Sequence, residues 1–350
     1  MREKDKTKVI ALYLPQYHAI PENDAWWGKG FTEWDNVKSA LPLFQNHYQP
    51  HIPHKRIGYY DLSDAATLER QHALALRYGV SAFCYYYYNF SGFNPLERPL
   101  LTISNSKAIK NDFCLCWANH DWTRTWFGQD KTILLRQEYS ADLARVLFED
   151  ACKYFQNERY ITIDGKPLFL VFRPEENPMM REYAAIWREL AVKNGFPGIF
   201  LVAVEALIVG ADPAGYGFDA AVEFAPDWTC TELSAKKDPN PRVFDYQATL
   251  RNMLNKTRPA YTRMRCAFPG WDNTPRYKER AVLFENTSMG AFKYALAHLK
   301  EYTQKNLPDN LQYVFINAWN EWGEGCHLEP DEKNSYAHLG IVKEIFGTAP

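Results

Sequence analysis

Two carboxylates three residues apart, Glu321 and Glu324, sit in the run VFINAWNEWGEGCHLE that closes at Glu329. Trp319 and Trp322 lie beside them, Asn317 and Asn320 add amides, and Gly323 and Gly325 bracket Glu324. One carboxyl can protonate a departing oxygen while a second carboxylate assists departure or attack, which is what glycosidic-bond chemistry requires. Residues three apart are at most roughly 11 Å apart at Cα, so both side chains can face one bound group. The glycines permit the tight backbone path this needs. The indoles offer flat surface to the C–H face of a sugar ring, and burial beside them would raise the pKa of whichever carboxyl is the acid. A structural turn with acidic caps is the competing reading. Carboxylates and tryptophans together on a strand-end loop are costly unless they bind something.

An apolar run, Val314 to Ile316, leads into this stretch and reads as a buried strand. It is the last of eight. The others are KVIALYL at 8–14, VSAFCYYYY at 80–88, DFCLCWA at 112–118, PLFLVF at 167–172, IFLVAV at 199–204, AAVEF at 220–224 and 264–268. Helical periodicity fills the intervals at 64–78 (stopping at Gly79), 96–107, 140–155 (capped by Ser140), 179–194 (closing at Gly195), 246–255 and 287–306, with a last helix at 336–346. The segment with Trp26, Trp27, Gly28, Gly30 and Trp34 reads as a long loop. Near-continuous apolar strands separated by helices predict a parallel sheet buried on both faces. Eight such units predict a single-domain α/β (β/α)8 TIM barrel over residues 1–350 with long βα loops, residues 1–7 forming a disordered tail. A doubly wound open sheet is the alternative. Against it, Gly28-Lys29-Gly30 lacks the third glycine and the preceding strand of a dinucleotide fingerprint.

Barrel chemistry belongs at the C-terminal ends of the strands, and polar and aromatic residues collect there. Strand one delivers Tyr13, Gln16 and His18, strand two its tyrosines with Asn89, and strand three Trp117, Asn119, His120 and Asp121. Strands four, five and six end at Arg173, Glu205 and Glu223; strand seven leads to Trp271, Asp272 and Asn273. Together with residues of the opening stretch and the first loop, the expected sugar contacts are Tyr13, Gln16, Trp34, Tyr87, Trp117, Asn119, Glu223, Trp271, Asp272, Trp319, Asn320 and Trp322. Half the tyrosine run must face the helices, because strand side chains alternate. Glu223 on an apolar strand is costly unless paired or facing the open mouth. Arg173 reads equally as an ion-pair partner for Glu205 or Glu223, and His18 as a hydrogen-bonded loop histidine. His120 and Asp121 lack a third ligand at useful spacing, so no metal or cofactor is expected.

Eleven Trp, 22 Tyr and 21 Phe make the chain 15% aromatic, against 46% hydrophobic overall. That excess suits carbohydrate, though an aromatic-rich core would also account for it. The net charge of −2 leaves no basic excess for a phosphate backbone, which argues against nucleic acid. Seven scattered cysteines, with Cys114 and Cys116 on one strand face, read as core thiols of a reducing cytoplasm. No apolar signal core and no membrane-length run is visible, and a removed export signal would leave the same picture. Nothing here sets the oligomeric state.

The blocks LYLPQYH at 12–18, WWGKGFTEW at 26–34, GYYDLSD at 58–64, FCLCWAN at 113–119, DGKPLFLVFRP at 164–174, AAVEF at 220–224, PGWDNTPR at 269–276 and NAWNEWGEG at 317–325 together resemble the WbsX family. Those proteins are described as glycosyltransferase-like and often accompany O-antigen, lipopolysaccharide and other surface-polysaccharide synthesis. The family in turn resembles glycoside hydrolase family 99, the endo-α-1,2-mannosidases, which are (β/α)8 barrels. The resemblance places Glu321 on the carboxylate that deprotonates the substrate's own 2-hydroxyl, giving a 1,2-anhydro sugar and overall retention. It places Glu324 on the general acid that later acts as base. His120-Asp121 stands where Glu-Asn is often found, which points to a different substrate. The leading expectation is a retaining glycoside hydrolase acting on an α-linked, mannose-like bacterial oligo- or polysaccharide. A glycosyltransferase or transglycosylase is the second, and the absence of any D-x-D motif counts against its metal-dependent form. A non-catalytic carbohydrate-binding barrel is the third.

Overall fold

Eight apolar segments pair side by side into one closed sheet, and each is buried along nearly its whole length. The computed structural model describes residues 7–124, 129–234 and 241–347. Of the expected tail at 1–7, only Thr7 is among them, and it is buried. The barrel strands are β1 (Lys8–Tyr13), β2 (Val80–Tyr87), β3 (Asp112–Trp117), β4 (Lys166–Val171), β5 (Phe200–Glu205), β6 (Ala220–Glu223), β7 (Arg263–Ala267) and β8 (Tyr313–Ile316). Neighbours are parallel throughout, from Val9 opposite Val80 to Arg265 opposite Val314. Lys8 opposite Tyr313 closes the ring. Val, Ile, Leu and Phe dominate these strands because the inner faces fill the barrel and the outer faces meet helices.

The helices are α1 (Pro21–Trp27), α2 (Glu33–Ser39), α3 (Ala65–Arg77), α4 (Glu97–Asn105), α5 (Ala141–Phe155), α6 (Met180–Lys193), α7 (Tyr246–Leu254), α8 (Thr274–Tyr277), α9 (Met289–Asn306) and α10 (Ala337–Phe346). Four of them, α3, α5, α7 and α9, begin where the sequence offers an oxygen to a free N–H. Asp64 accepts from Ala66 N, Ser140 from Leu143 N, Asp245 from Ala248 N and Ser288 from Ala291 N. Gly79 ends the α3 region in the left-handed conformation, φ +86°, which costs glycine little.

One expectation is corrected. The segment around Trp26 and Trp34 is two short helices, α1 and α2, not a structureless loop. Seven residues each leave little room for a periodic stripe. A reciprocal capping box between Thr32 and Asp35 nonetheless starts α2, which marks it in hindsight. Between β5 and β6 the described connection holds only a 3-10 turn at Pro213–Tyr216. All seven cysteines are free, and Cys84, Cys114 and Cys116 are buried in the core. Among the described residues no helix is long and apolar enough to cross a membrane.

Candidate active site

The loop after β8 turns back over the barrel mouth and is laced to the end of β1. Asn320 Nδ2 donates to Leu14 O at 2.9 Å while its Oδ1 accepts from Leu14 N at 2.8 Å, so the amide stands in for a strand neighbour. Trp319 N donates to Leu12 O at 2.7 Å. Tyr17 Oη donates to Asn320 O at 2.7 Å and accepts from Trp322 N at 3.1 Å. Trp322 is clamped between rings, stacked on His327 at 3.7 Å and tilted against Trp34 at 5.5 Å. Its Nε1 donates to Glu329 at 2.7 Å, and Tyr60 and Gln71 donate to the same carboxylate. Burial pushes Glu329 up to about 7, against those three donors. This packing holds Glu321 and Glu324 in place.

Both carboxylates end on one guanidinium. Arg276, on α8, donates from Nη2 to Glu321 Oε2 at 3.0 Å and from Nη1 to Glu324 Oε1 at 2.6 Å. Its Nε donates to Glu33 Oε1 at 2.8 Å, bringing in a third carboxylate from the first residue of α2. Asp272 carries Arg276 to this point: its Oδ1 accepts from Thr274 N at 3.0 Å, starting the α8 turn, and its own N–H donates to Glu324 O at 2.6 Å. Gly325 sits at φ +58° with a notional Cβ only 3.0 Å from Asp272 N, so a side chain there would push the two loops apart. Burial raises Glu324 to about 8; Arg276 works against that, and Glu321 and Glu33 add to it. Burial raises Glu321 too, again opposed by Arg276 and supported by Glu33. Three carboxylates sharing one cation out of water cannot all ionise cheaply.

Arg276, Glu321 and Glu324 line a cavity of about 860 Å³ at the C-terminal ends of the strands. Trp26 and Trp27 come from α1, Tyr86 and Tyr88 from β2 and its exit, and Trp122 from the loop after β3. Phe172 and Arg173 follow β4, Phe224 and Trp228 follow β6, and Trp271 and Tyr277 flank Arg276. The rings lie at angles, Trp228 edge-on to Trp271 at 5.3 Å and Tyr88 edge-on to Trp122 at 5.2 Å. Aromatic faces with a few fixed polar groups are the usual make-up of a small-molecule site.

Of the fourteen residues singled out from sequence, Gln16, Trp271, Glu321 and Glu324 line the cavity. The other ten lie behind its wall. Tyr13 Oη donates to Gln71 on α3 at 2.6 Å, and Tyr87 Oη to Asp150 on α5, because alternation sends Tyr86 and Tyr88 inward instead. Trp117 packs on Tyr183 and Trp187 of α6. Asn119 ties the strand ends together, donating to Arg173 O at 2.6 Å and accepting from Arg173 N at 2.8 Å. Trp34, Trp319, Asn320 and Trp322 are buried within the support of the loop, and stacking of sugar on Trp319 or Trp322 is corrected to core packing. Asp272 is taken by His47, Gln49 and Thr274. Glu223 is held by Arg265 at 2.7 Å and Lys256 at 3.0 Å. Arg173 pairs with Glu176 at 3.1 Å, not with Glu223 or Glu205.

His120 and Asp121 do reach the cavity; burial lowers His120 to about 3, with Arg173 adding to it, so the ring is neutral. His18 is buried off the cavity and lowered to about 4 by that burial. Glu33 and Arg276 were missed. Each stands inside a block quoted above, FTEW and DNTPR, and the signal was chemical: two carboxyls held close together need a cation.

Residues 9–342 match the family described as Glycosyltransferase WbsX. In Xanthomonas campestris pv. campestris, the uncharacterized protein WxcX of two strains is 39% identical over 348 residues, 98% of this chain. The chain spans about half the length of these relatives, 50%. Among solved structures, the GH99 endo-alpha-mannosidase from Bacteroides thetaiotaomicron, in complex with BIS-TRIS-propane, superposes with a TM-score of 0.60 at 13% identity, covering 98% of both chains. A glycoside hydrolase-like protein gives 0.63 at 12% identity, covering 100% of this chain and 96% of its own. At that identity the likeness is one of fold.

Proposed function

The chain belongs to the WbsX glycosyltransferase family, and from that premise we propose that it is a carbohydrate-active enzyme in which Glu321 and Glu324 carry retaining chemistry on an α-linked, mannose-like glycoside of a bacterial oligo- or polysaccharide. The observation that carries this is the carboxylate pair on one guanidinium at the wall of an aromatic cavity, with Glu324 pushed up to about 8. At neutral pH Glu324 therefore keeps the proton that a leaving oxygen needs. Two carboxyls on one cation do not lose both protons together, which divides acid from base.

The sequence resemblance to family 99 supplies the order of steps. Glu321 takes the proton of the sugar's 2-hydroxyl, whose oxygen attacks the anomeric carbon. The anomeric C–O bond breaks as Glu324 protonates the leaving oxygen. Water then opens the 1,2-anhydro ring, giving a proton to Glu324 while Glu321 returns one to the 2-oxygen, and two inversions amount to retention. Release of reducing sugar from α-mannan-type or O-antigen oligosaccharides, lost in both Glu321→Gln and Glu324→Gln, is the expected result.

The family description favours a second reading, transfer of a sugar, which the sequence resemblance sets in surface-polysaccharide assembly. Turnover that requires a sugar donor, with saturable UDP or GDP binding, would replace hydrolysis with that reading. Sugar binding retained in both glutamine variants, with no glycan turned over by the wild type, would leave a binding barrel.

A further inference from the structure

We infer that Glu33 is a positioning residue that acts on both carboxylates of the site through Arg276. Its functional meaning rests on the reading of Glu321 and Glu324 as the reacting pair. A guanidinium is a planar fork, so fixing one nitrogen fixes the direction of the other two. Glu33 takes Nε at 2.8 Å, and the two terminal nitrogens then point one each at Glu321 and Glu324. With Nε committed, the side-on pair through Nε is closed, and the two terminal nitrogens are divided, one to each reacting carboxylate. Each carboxyl therefore meets Arg276 through one oxygen only, Oε2 of Glu321 and Oε1 of Glu324.

The anchoring is mutual. Glu33 is 0% exposed, and its Oε2 has no hydrogen-bond partner among the described residues. Arg276 is its one described ion-pair partner. The next residue, Trp34, donates from Nε1 to Tyr60 O at 2.7 Å and packs on Trp322, so α2 braces the carboxylate loop from two sides. Gly323 closes over the ion pair between the two reacting residues. A Cβ there would lie 2.0 Å from Glu33 Oε1 and 2.9 Å from Arg276 Nε. The loop has room for hydrogen only.

The charges that bear on Glu324 are Arg276, Glu321 and Glu33. Tyr17 faces Glu33 and Glu321 from the β1 loop, Tyr86 and Tyr88 face both reacting carboxylates from β2, and Cys326 lies behind. Burial raises all four of these, so they are neutral near pH 7. Removing the Glu33 charge takes an anion away and frees Arg276 to close on its remaining partners. Both effects lower the carboxyl pKa of Glu324.

The test is a carbon-13 carboxyl NMR titration of the full chain labelled at glutamate Cδ, with Glu324→Gln assigning the Glu324 signal. Glu33→Gln is expected to lower the Glu324 midpoint by about one unit or more, with the near-UV circular dichroism of the wild type. Glu33→Asp, which keeps the charge but withdraws it from Arg276 Nε, is expected to shift the midpoint the same way by less and serves if Glu33→Gln does not fold. A Glu324 midpoint unmoved in the folded variant would overturn the inference, since a merely structural glutamate leaves it where it is. The titration needs no sugar. An unmoved midpoint beside glycan turnover in the wild type would sink the role of Glu33 alone, whereas a moved midpoint without turnover would sink only the glycosidic reading.

Discussion

Two clusters of buried carboxylates stand at the strand ends of this barrel, and they differ in how their charge is balanced. At β6 and β7, Glu223 and Asp227 face Lys256 and Arg265, two anions against two cations, with Arg265 Nε 2.7 Å from Glu223. Burial opposes the charge of Glu223, but Arg265 and Lys256 outweigh it and hold the carboxyl below its ordinary range. The cluster is closed, Glu223 lining no part of the cavity. At β8, Glu33, Glu321 and Glu324 share Arg276, three carboxyls against one cation, and the two carboxyls that reach the cavity are raised. A balanced cluster stores no proton and fastens loops together. An unbalanced one holds a proton that can be handed to a substrate. Sequence placed Glu223 and Glu321 in the same class of strand-end glutamate; counting the cations around each separates them.

The largest contrast is in turnover. Glu324→Gln or Glu321→Gln is expected to cost about 10²–10⁴-fold in glycan turnover, with the melting temperature kept, whereas Glu223→Gln is expected to leave the chemistry of any remaining folded enzyme within a few-fold. Equal losses in reducing-sugar release from the three variants would erase the distinction. Stability should run the other way. Arg265→Met strands Glu223 in the interior and is expected to cost about 3–5 kcal/mol by urea unfolding, while Glu324→Gln, which imitates the protonated acid, should cost little.

The pH dependence of stability should also have opposite signs. Glu324 is raised on folding, so the folded chain holds a proton that the unfolded chain has released. Its contribution is full below the ordinary carboxyl pKa and is lost as pH rises towards about 8, at up to about 1.4 kcal/mol per unit. Glu223 is depressed, so its contribution is present at neutral pH and is lost as pH falls below the ordinary carboxyl range. Unfolding of wild type against Glu324→Gln from pH 5 to 8, and against Glu223→Gln from pH 5 to 3, measures both slopes. The smallest effect separates the faces of β2. Tyr87→Phe loses a hydroxyl bonded to Asp150 outside the barrel and should cost about 1 kcal/mol of stability, with KM unchanged. Tyr88→Ala removes a cavity ring and should raise KM.

The eight strands and most long helices were legible because their signals are local: apolar runs, an Asp or Ser before a helix, a glycine after it. The short helices α1 and α2 were not, since seven residues carry little periodicity and α2 is held by Trp34 and Glu33 reaching across the barrel mouth. Tyr86 and Tyr88 could not be told from Tyr87 in a run of four tyrosines, where residue type carries no phase. Trp319 and Trp322 suggested stacking surface, yet both are fully buried. An indole serves a core as readily as a sugar.

By itself the sequence determined the barrel, its direction, and a glutamate pair on the loop after the last strand, because each follows from the order of residues along one segment. Only the tertiary structure decided which strand-end carboxylates are paired off and which are left holding a proton. Arg276 and Glu33 lie 243 positions apart and meet at 2.8 Å. A carboxyl's pKa depends on charges near it in space, and no spacing along the chain records which those will be.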